Sequence, residues 1–168
     1  MILDDDLRDR AFRIKLLLMD CDGVLTDGRL YFGPSGEELR VFHARDGQGI
    51  VDWHAAGFQS GIISGRNSAI VEMRAKQLGI TYIKQGRKDK STALDEIIAE
   101  SRIPADQIAF VGDDTPDIQV FERVAFAVAV ADAHDLAKSA AHYTTEHSGG
   151  HGAVREVTDM LLAASVDQ

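Results

Sequence analysis

The sequence predicts an α/β fold, a doubly wound parallel Rossmann-like sheet with a small β-hairpin insertion and no separate cap domain. Three observations carry this. Short solid apolar runs alternate with helical periods along the 168 residues. The runs are apolar on both faces, as strands covered by helices on each side must be. One turn tripeptide, Pro34-Ser35-Gly36, interrupts the alternation after the first run. Alternating strand and helix builds βαβ units, hence a parallel sheet.

The elements follow in order. Lys15 to Met19 is a continuous apolar run ending at Asp20. Arg29 to Gly33 and Glu37 to Arg45 flank the tripeptide and predict a hairpin, a flap over about 26–45 that also suits an oligomer contact. Phe58 to Ile63 is the second run, and Ser68 to Leu78 follows with Ile70, Val71, Arg74 and Leu78 at helical spacing. Thr81 to Ile83 is a weaker third run. Ser91 to Glu100 then sets Ala93, Leu94, Ile97 and Ile98 on one stripe. Ile108 to Val111 and Val124 to Val130 are the fourth and fifth runs, and Val154, Val157 and Leu161 form a last helical stripe. No repeat or linker divides the chain, so residues 1–168 read as one domain, with a Gly-rich flexible tail over about 146–168.

Composition narrows the function. Lys plus Arg number 18 against 27 Asp plus Glu, a net charge of −9, which argues against nucleic acid or an anionic membrane as partner. The longest apolar run, Val124 to Ala131, is far short of the ~20 residues that span a bilayer. Asp4, Asp5 and Asp6 stand where a secretory signal carries basic residues, and the single cysteine, Cys21, cannot form an internal disulfide. A cytoplasmic domain is expected.

In open α/β sheets ligands bind beyond the carboxyl ends of the strands. Asp20-Cys21-Asp22-Gly23 follows the first run, Ser64-Gly65-Arg66 the second, and Gly112-Asp113-Asp114 the fourth. Alone, the first cluster reads equally as a turn. It is not an EF-hand calcium loop, because Val24 and Tyr31 occupy the fifth and twelfth positions. With Asp113, Asp114 and Asp117, four or five carboxylates converge on one crevice. Each like-charge pair at ~4 Å and an effective dielectric of ~20 costs about 4 kcal/mol, so a cation is required, and hard oxygen ligands suit Mg²⁺. Helix capping would explain Asp114 or Asp117 singly, but not the set.

Ser64 with Gly65, and Lys90 at a helix start, supply an anion site, since a cation there opposes the macrodipole and needs an anionic partner. A solvated surface run is the alternative for Arg87, Lys88 and Lys90. Gly86 to Ser91 is not a nucleotide loop, because Asp89 stands where Gly must precede the lysine. His147 and His151 are four apart, but Gly149-Gly150 breaks any helix between them, which disfavours zinc. Cys21, which strand alternation turns away from Asp20, is expected in the core with Trp53 and Phe58.

Asp20-Cys21-Asp22-Gly23-Val24-Leu25-Thr26-Asp27-Gly28, Ile63-Ser64-Gly65-Arg66, Lys90, and Val111-Gly112-Asp113-Asp114 with Asp117 together resemble the haloacid dehalogenase superfamily of phosphotransferases. Arg45-Asp46-Gly47, Val128 to His134 and Gly149 to Val157 narrow the resemblance to its 3-deoxy-D-manno-octulosonate 8-phosphate phosphatase family. The resemblance covers roughly Ile14 to Val157.

It implies Mg²⁺-dependent homotetramers that hydrolyse a sugar-acid phosphate on the way to lipopolysaccharide, each hairpin covering a neighbour's site. By motif, Asp20 is the nucleophile that forms an aspartyl-phosphate, and Asp22 protonates the leaving alkoxide and then activates water. Asp20, Asp113 and the Asp22 backbone carbonyl hold Mg²⁺, with Asp114 and Asp117 supporting them. Ser64 and Lys90 bind the phosphoryl oxygens. His43, Ala44, Arg45, Asp46, Gly47, Arg66 and Arg74 match substrate-contacting positions, within the protomer or from an adjacent subunit; a helix starting at Asn67 leaves Arg66 and Arg74 facing the same region. Ser64 stands where Thr is common, and His43-Ala44 where Asn-Val is usual. The acidic start, Asp4 to Arg10, matches no part of the pattern.

The chemistry agrees. Phosphate monoesters need up to ~10²¹-fold acceleration, which a carboxylate nucleophile divides into two steps. A nine-carbon sugar-acid 9-phosphate is an alternative substrate, and a non-catalytic tetramerisation module is the rival lacking Asp20, Asp22, Lys90 or Asp113; all four are present.

Overall fold

The computed structural model describes residues 5–36 and 38–166. Asp4, Glu37 and the last two residues of the expected tail lie outside them. Six strands, β1 (Leu16–Met19), β4 (Gln59–Ile63), β5 (Tyr82–Lys84), β6 (Ile108–Gly112), β7 (Phe126–Ala129) and β8 (Tyr143–Thr144), form one parallel sheet in the order β5-β4-β1-β6-β7-β8. The antiparallel pair β2 (Tyr31–Phe32) and β3 (Glu38–Leu39) is separate from it.

Strands β1, β6 and β7 are buried at every position, as their solid apolar runs require. The helices that cover them are α1 (Asp5–Phe12), α2 (Ala44–Ala55), α3 (Ala69–Leu78), α4 (Lys90–Ser101), α5 (Ile118–Phe121), α6 (Asp135–Ala140) and α7 (Ala153–Val166). Helix α7 packs on α1 and α2, while α4 packs on α5 and β4. No helix among the described residues is long and apolar enough to cross a membrane.

Several expectations are corrected. The segment read as a flexible tail is packed: Val154, Val157 and Leu161 are fully buried, so the predicted stripe outweighs the glycines before it. The hairpin's second arm stops at Leu39, and Ala44 and Arg45 open α2 instead. Gly47 and Gly49 lower the helix propensity of α2, but burial of Ile50 and Trp53 on one face decides it. In α3, Ala75 rather than Arg74 completes the buried stripe with Val71 and Leu78. The acidic start is a helix docked on α7; Arg10 donates 2.9 Å to the Ala125 carbonyl, and Ala11 is buried.

Register positions the site. Met19 pairs with Ile62 of β4 and with Val111 of β6, so the next residue, Asp20, stands level with Ile63 and Gly112. The backbone N–H of Asp20 donates 2.9 Å to the Val111 carbonyl. Ser64 and Asp113 therefore lie one step further along the same sheet edge.

Candidate active site

At that edge a cleft of about 380 Å³ is lined by Asp20, Asp22, Gly28, Ser64, Gly65, Arg66, Arg87, Lys88, Lys90, Asp113, Asp114, Pro116 and Asp117. The chain turns sharply after β1, where the Cys21 carbonyl accepts from the N–H groups of Val24, Leu25 and Thr26. The Thr26 hydroxyl accepts from Gly28 N–H at 3.3 Å and donates to the Cys21 carbonyl at 3.4 Å. Cys21 is buried as expected, but β1 has ended at Met19, so the turn rather than strand alternation sends it inward. Burial pushes its thiol up to about 12, with Asp22 reinforcing the shift, so it stays protonated.

Two glycines set the fit of this turn. Gly23 has φ +87°, and a Cβ there would overlap the Asp113 carboxylate. Gly149 lies so close that a Cβ on it would overlap the Gly23 carbonyl oxygen. Gly150 N–H donates 2.9 Å to the Val24 carbonyl, and the Asp132 carboxylate accepts from Gly149 N–H at 2.9 Å. The Gly-Gly segment is thus a clamp on the turn that bears Asp20 and Asp22.

Lys90 is the first residue of α4, which Asp89 caps by accepting from Thr92 N–H at 3.1 Å. Its buried Nζ lies 2.9 Å from Asp20 Oδ2 and 2.6 Å from Asp117 Oδ1. The anionic partner demanded by a lysine at a helix start is therefore found, in part, within the chain itself. Burial alone would lower the lysine's pKa, but Asp20 and Asp117 outweigh it and raise it. The other oxygen of Asp117 accepts from Asp113 N–H at 2.9 Å and Asp114 N–H at 3.2 Å. Asp117 thus braces Lys90 and the backbone of Asp113 and Asp114. Asp114 is exposed and caps the 3₁₀ turn Thr115–Asp117.

Asp20, Asp113 and Asp117 each offer a carboxylate oxygen within 4.8 Å of the others. Burial pushes Asp113 up to about 8, with Asp20 and Asp117 adding repulsion. Burial likewise pushes Asp20 up to about 6 against the opposing pull of Lys90, and Asp117 adds to the rise. Crowded, desolvated carboxylates of this kind favour a hard divalent cation, which would displace their protons. His147 and His151 belong to no metal-binding group of the described residues; His147 Nδ1 lies 2.8 Å from Glu156 Oε2 instead.

The remaining predicted residues divide. Ser64 is buried at the cleft, its hydroxyl accepting from Arg66 N–H at 3.3 Å. Arg66 precedes α3, so it does not share a helical face with Arg74. Arg66 Nε lies 3.9 Å from Asp22 Oδ2, whereas Arg74 lines a separate cavity with Arg40, Phe42 and Ala44. Asp46 is buried, accepting from Gly152 N–H at 3.2 Å and Arg155 N–H at 2.8 Å, where it anchors the start of α7. Gly47 is buried in α2, whose N-cap is His43. Arg45 stands on the wall of a third cavity, of about 590 Å³, with His147 and His151. One residue that touches the site was missed altogether: Arg40, which lines the neighbouring cavity and whose guanidinium pairs with Asp22 Oδ1.

Residues 61–157 match the haloacid dehalogenase-like hydrolase family. The 3-deoxy-D-manno-octulosonate 8-phosphate phosphatase KdsC of Yersinia pestis is 46% identical over 160 residues, 95% of this chain and 86% of that protein. The chain belongs to this phosphatase family of the haloacid dehalogenase-like hydrolases. It is a phosphoric monoester hydrolase. A crystal structure of the Yersinia pestis phosphatase superposes with a TM-score of 0.94, covering 96% of this chain and 87% of that one at 46% identity. Another family member, from Moraxella catarrhalis in complex with magnesium ion, phosphate ion and a KDO molecule, superposes with a TM-score of 0.94 at 37% identity, covering 96% of this chain and 93% of that one. The family's parallel sheet is the one found here, and its acidic motif falls at the edge where the cleft lies.

Proposed function

We propose that this phosphatase hydrolyses 3-deoxy-D-manno-octulosonate 8-phosphate to the free sugar acid and inorganic phosphate, a cytoplasmic step towards lipopolysaccharide. The observation that carries the reading is the convergence of Asp20, Asp113 and Asp117 within 4.8 Å, with Lys90 Nζ 2.9 Å from Asp20. The substrates named for its relatives supply the sugar acid.

Asp20 attacks phosphorus to give an aspartyl-phosphate, while Asp22 gives a proton to the departing alkoxide oxygen. Asp22 then takes a proton from the water that releases phosphate. Lys90 and the Ser64 hydroxyl bind phosphoryl oxygens, and Asp117 keeps Lys90 in place. Asp20, Asp113 and the Asp22 carbonyl would hold Mg²⁺, which neutralises charge on phosphoryl oxygens when bound. Arg66, on the cleft wall, is the protomer's own contact for the sugar acid. His43, Ala44, Arg45 and Arg74 line no part of the cleft of their own protomer, so a contribution from them comes across a subunit boundary, while Asp46 and Gly47 are buried and act only through the start of α2 that they support. The exposed apolar side chains of Tyr31, Phe32, Leu39 and Val41 on the hairpin support association, which we assign to a homotetramer.

Phosphate release from a panel of sugar phosphates, with and without EDTA, tests the proposal. The expected result is the highest kcat/KM on the eight-carbon acid and loss of turnover in EDTA. A higher kcat/KM on a nine-carbon acid 9-phosphate would transfer the assignment to that substrate.

A further inference from the structure

Leu39, the last residue of the hairpin, and Val41 just beyond it are 68% and 60% exposed, yet the Arg40 side chain between them is 1% exposed. Two apolar residues face outward and the charge faces inward, the reverse of what a free-standing hairpin would favour. Burying a guanidinium costs several kcal/mol unless an anion receives it. One such anion is Asp22, whose Oδ1 pairs with Arg40 Nη1, while the same nitrogen lies 3.9 Å from Cys21 Sγ. The other carboxylate oxygen, Oδ2, is 3.9 Å from Arg66 Nε, on a side chain that is 46% exposed. Asp22 is therefore anchored at one oxygen from the hairpin and open to the cleft at the other.

We infer that Arg40 is a positioning residue for proton transfer: it holds Asp22 by Oδ1 so that Oδ2 faces the leaving-group oxygen. This rests on the reading of Asp22 as general acid and base. In the first step the Asp20–phosphorus bond forms and the phosphorus–alkoxide bond breaks, and the Oδ2 proton moves to the alkoxide. In the second, water oxygen bonds to phosphorus, the Asp20–phosphorus bond breaks, and Oδ2 takes the water's proton. Arg40 thus ties the segment that leaves the hairpin to the group that moves the proton, so displacing that segment leaves Asp20 intact and Asp22 misdirected.

The test compares leaving groups. The alkoxide of the sugar phosphate needs a proton; the phenolate of p-nitrophenyl phosphate leaves without one. Single-turnover release of the alcohol reads the first step alone. Arg40→Gln should slow the sugar phosphate roughly 10–100-fold and p-nitrophenyl phosphate by less than about threefold. Arg40→Lys should recover part of the loss, and Asp22→Asn should show the same asymmetry more strongly. In the Asp22→Asn background, Arg40→Gln should cost nothing further. Equal losses on both substrates for Arg40→Gln, or losses additive with Asp22→Asn, would overturn the positioning role. If Asp22→Asn itself slows both substrates equally, the reading of Asp22 fails and the role of Arg40 with it. Melting midpoints of Arg40→Gln and Arg40→Lys separate misfolding from misdirection.

Discussion

The turn that bears Asp20 and Asp22 and the hairpin that follows it are consecutive in the chain but held by opposite means. The turn is gripped from three directions: by β6 through the Asp20 N–H, by Lys90 through the Asp20 carboxylate, and by Gly149-Gly150 through the Gly23 and Val24 carbonyls. Among the described residues the hairpin has two paired positions between its strands, and it presents Phe32 and Leu39 to solvent. Its described ties to the body include the Arg40–Asp22 pair and the Arg66 guanidinium 5.9 Å from the Phe32 ring. Covalent chemistry needs groups fixed to fractions of an ångström, and the sheet edge supplies that. The hairpin, whose described side chains line no part of the cleft, needs less, and it borrows its stability from contacts made elsewhere.

Breaking the turn should give the largest effects. Asp20→Asn should lower phosphate release at least ~10⁴-fold with the circular dichroism spectrum unchanged, because it removes the oxygen that attacks in the proposed mechanism and no apolar group from the core. Comparable turnover by this variant would end the covalent mechanism. Lys90→Met should cost stability as well as activity. It strands Asp117, whose side chain is 1% exposed, so about 3–5 kcal/mol and a fall in melting midpoint on the order of 10 °C are expected by calorimetry.

Gly149→Ala sharpens the comparison, since it touches the turn from the far end of the sequence. Its Cβ meets the Gly23 carbonyl, so a loss of about 1–3 kcal/mol and a kcat lowered ~10²-fold are expected. An unchanged kcat would mean that the Gly-Gly segment does not set the position of Asp22.

The acidic cluster also predicts a pH dependence. Asp113 and Asp20 have folded pKa values of about 8 and about 6, both raised from 3.8, so the metal-free folded state binds protons more tightly than the unfolded chain. That contribution to stability is complete below about pH 4 and is lost as pH rises through 6 and then 8. Mg²⁺ must displace the same protons, so its increment in melting midpoint should grow from pH 5.5 to 8.5, as a thermal-shift series in EDTA and in Mg²⁺ would read. The smallest effect on the protomer should come from the hairpin. Phe32→Ser with Leu39→Ser should shift the sedimentation coefficient towards smaller species while moving the protomer's melting midpoint by only about 1–2 °C.

How far the sequence could be read varied with the range of the interactions. The five apolar runs all became strands, and the α7 stripe and Ala93, Leu94 and Ile97 of the α4 stripe became buried, with Ile98 half-buried beside them, because burial periodicity is written locally. Strand β8, with two residues, and α2, with its glycines, left no such pattern. Asp46 resembled a substrate contact by motif, but its carboxylate caps α7, 109 residues away in sequence at Arg155. Arg40 could have been noticed as a charge between Leu39 and Val41, but its inward direction is set by Asp22 and not by neighbours in the chain.

By itself, the order of carboxylate, hydroxyl, lysine and carboxylate motifs after successive apolar runs determined the fold class and the edge of the sheet where chemistry occurs, because side-chain type and spacing along one strand or helix set both. The kind of reaction came from the family that this order of motifs resembles. Only the tertiary structure decided that Lys90 is shared between Asp20 and Asp117, that two glycines near the C-terminus clamp the first turn, and that a hairpin arginine holds Asp22. Those contacts join segments that are close in space and distant in sequence, so packing and register set them and no local pattern encodes them.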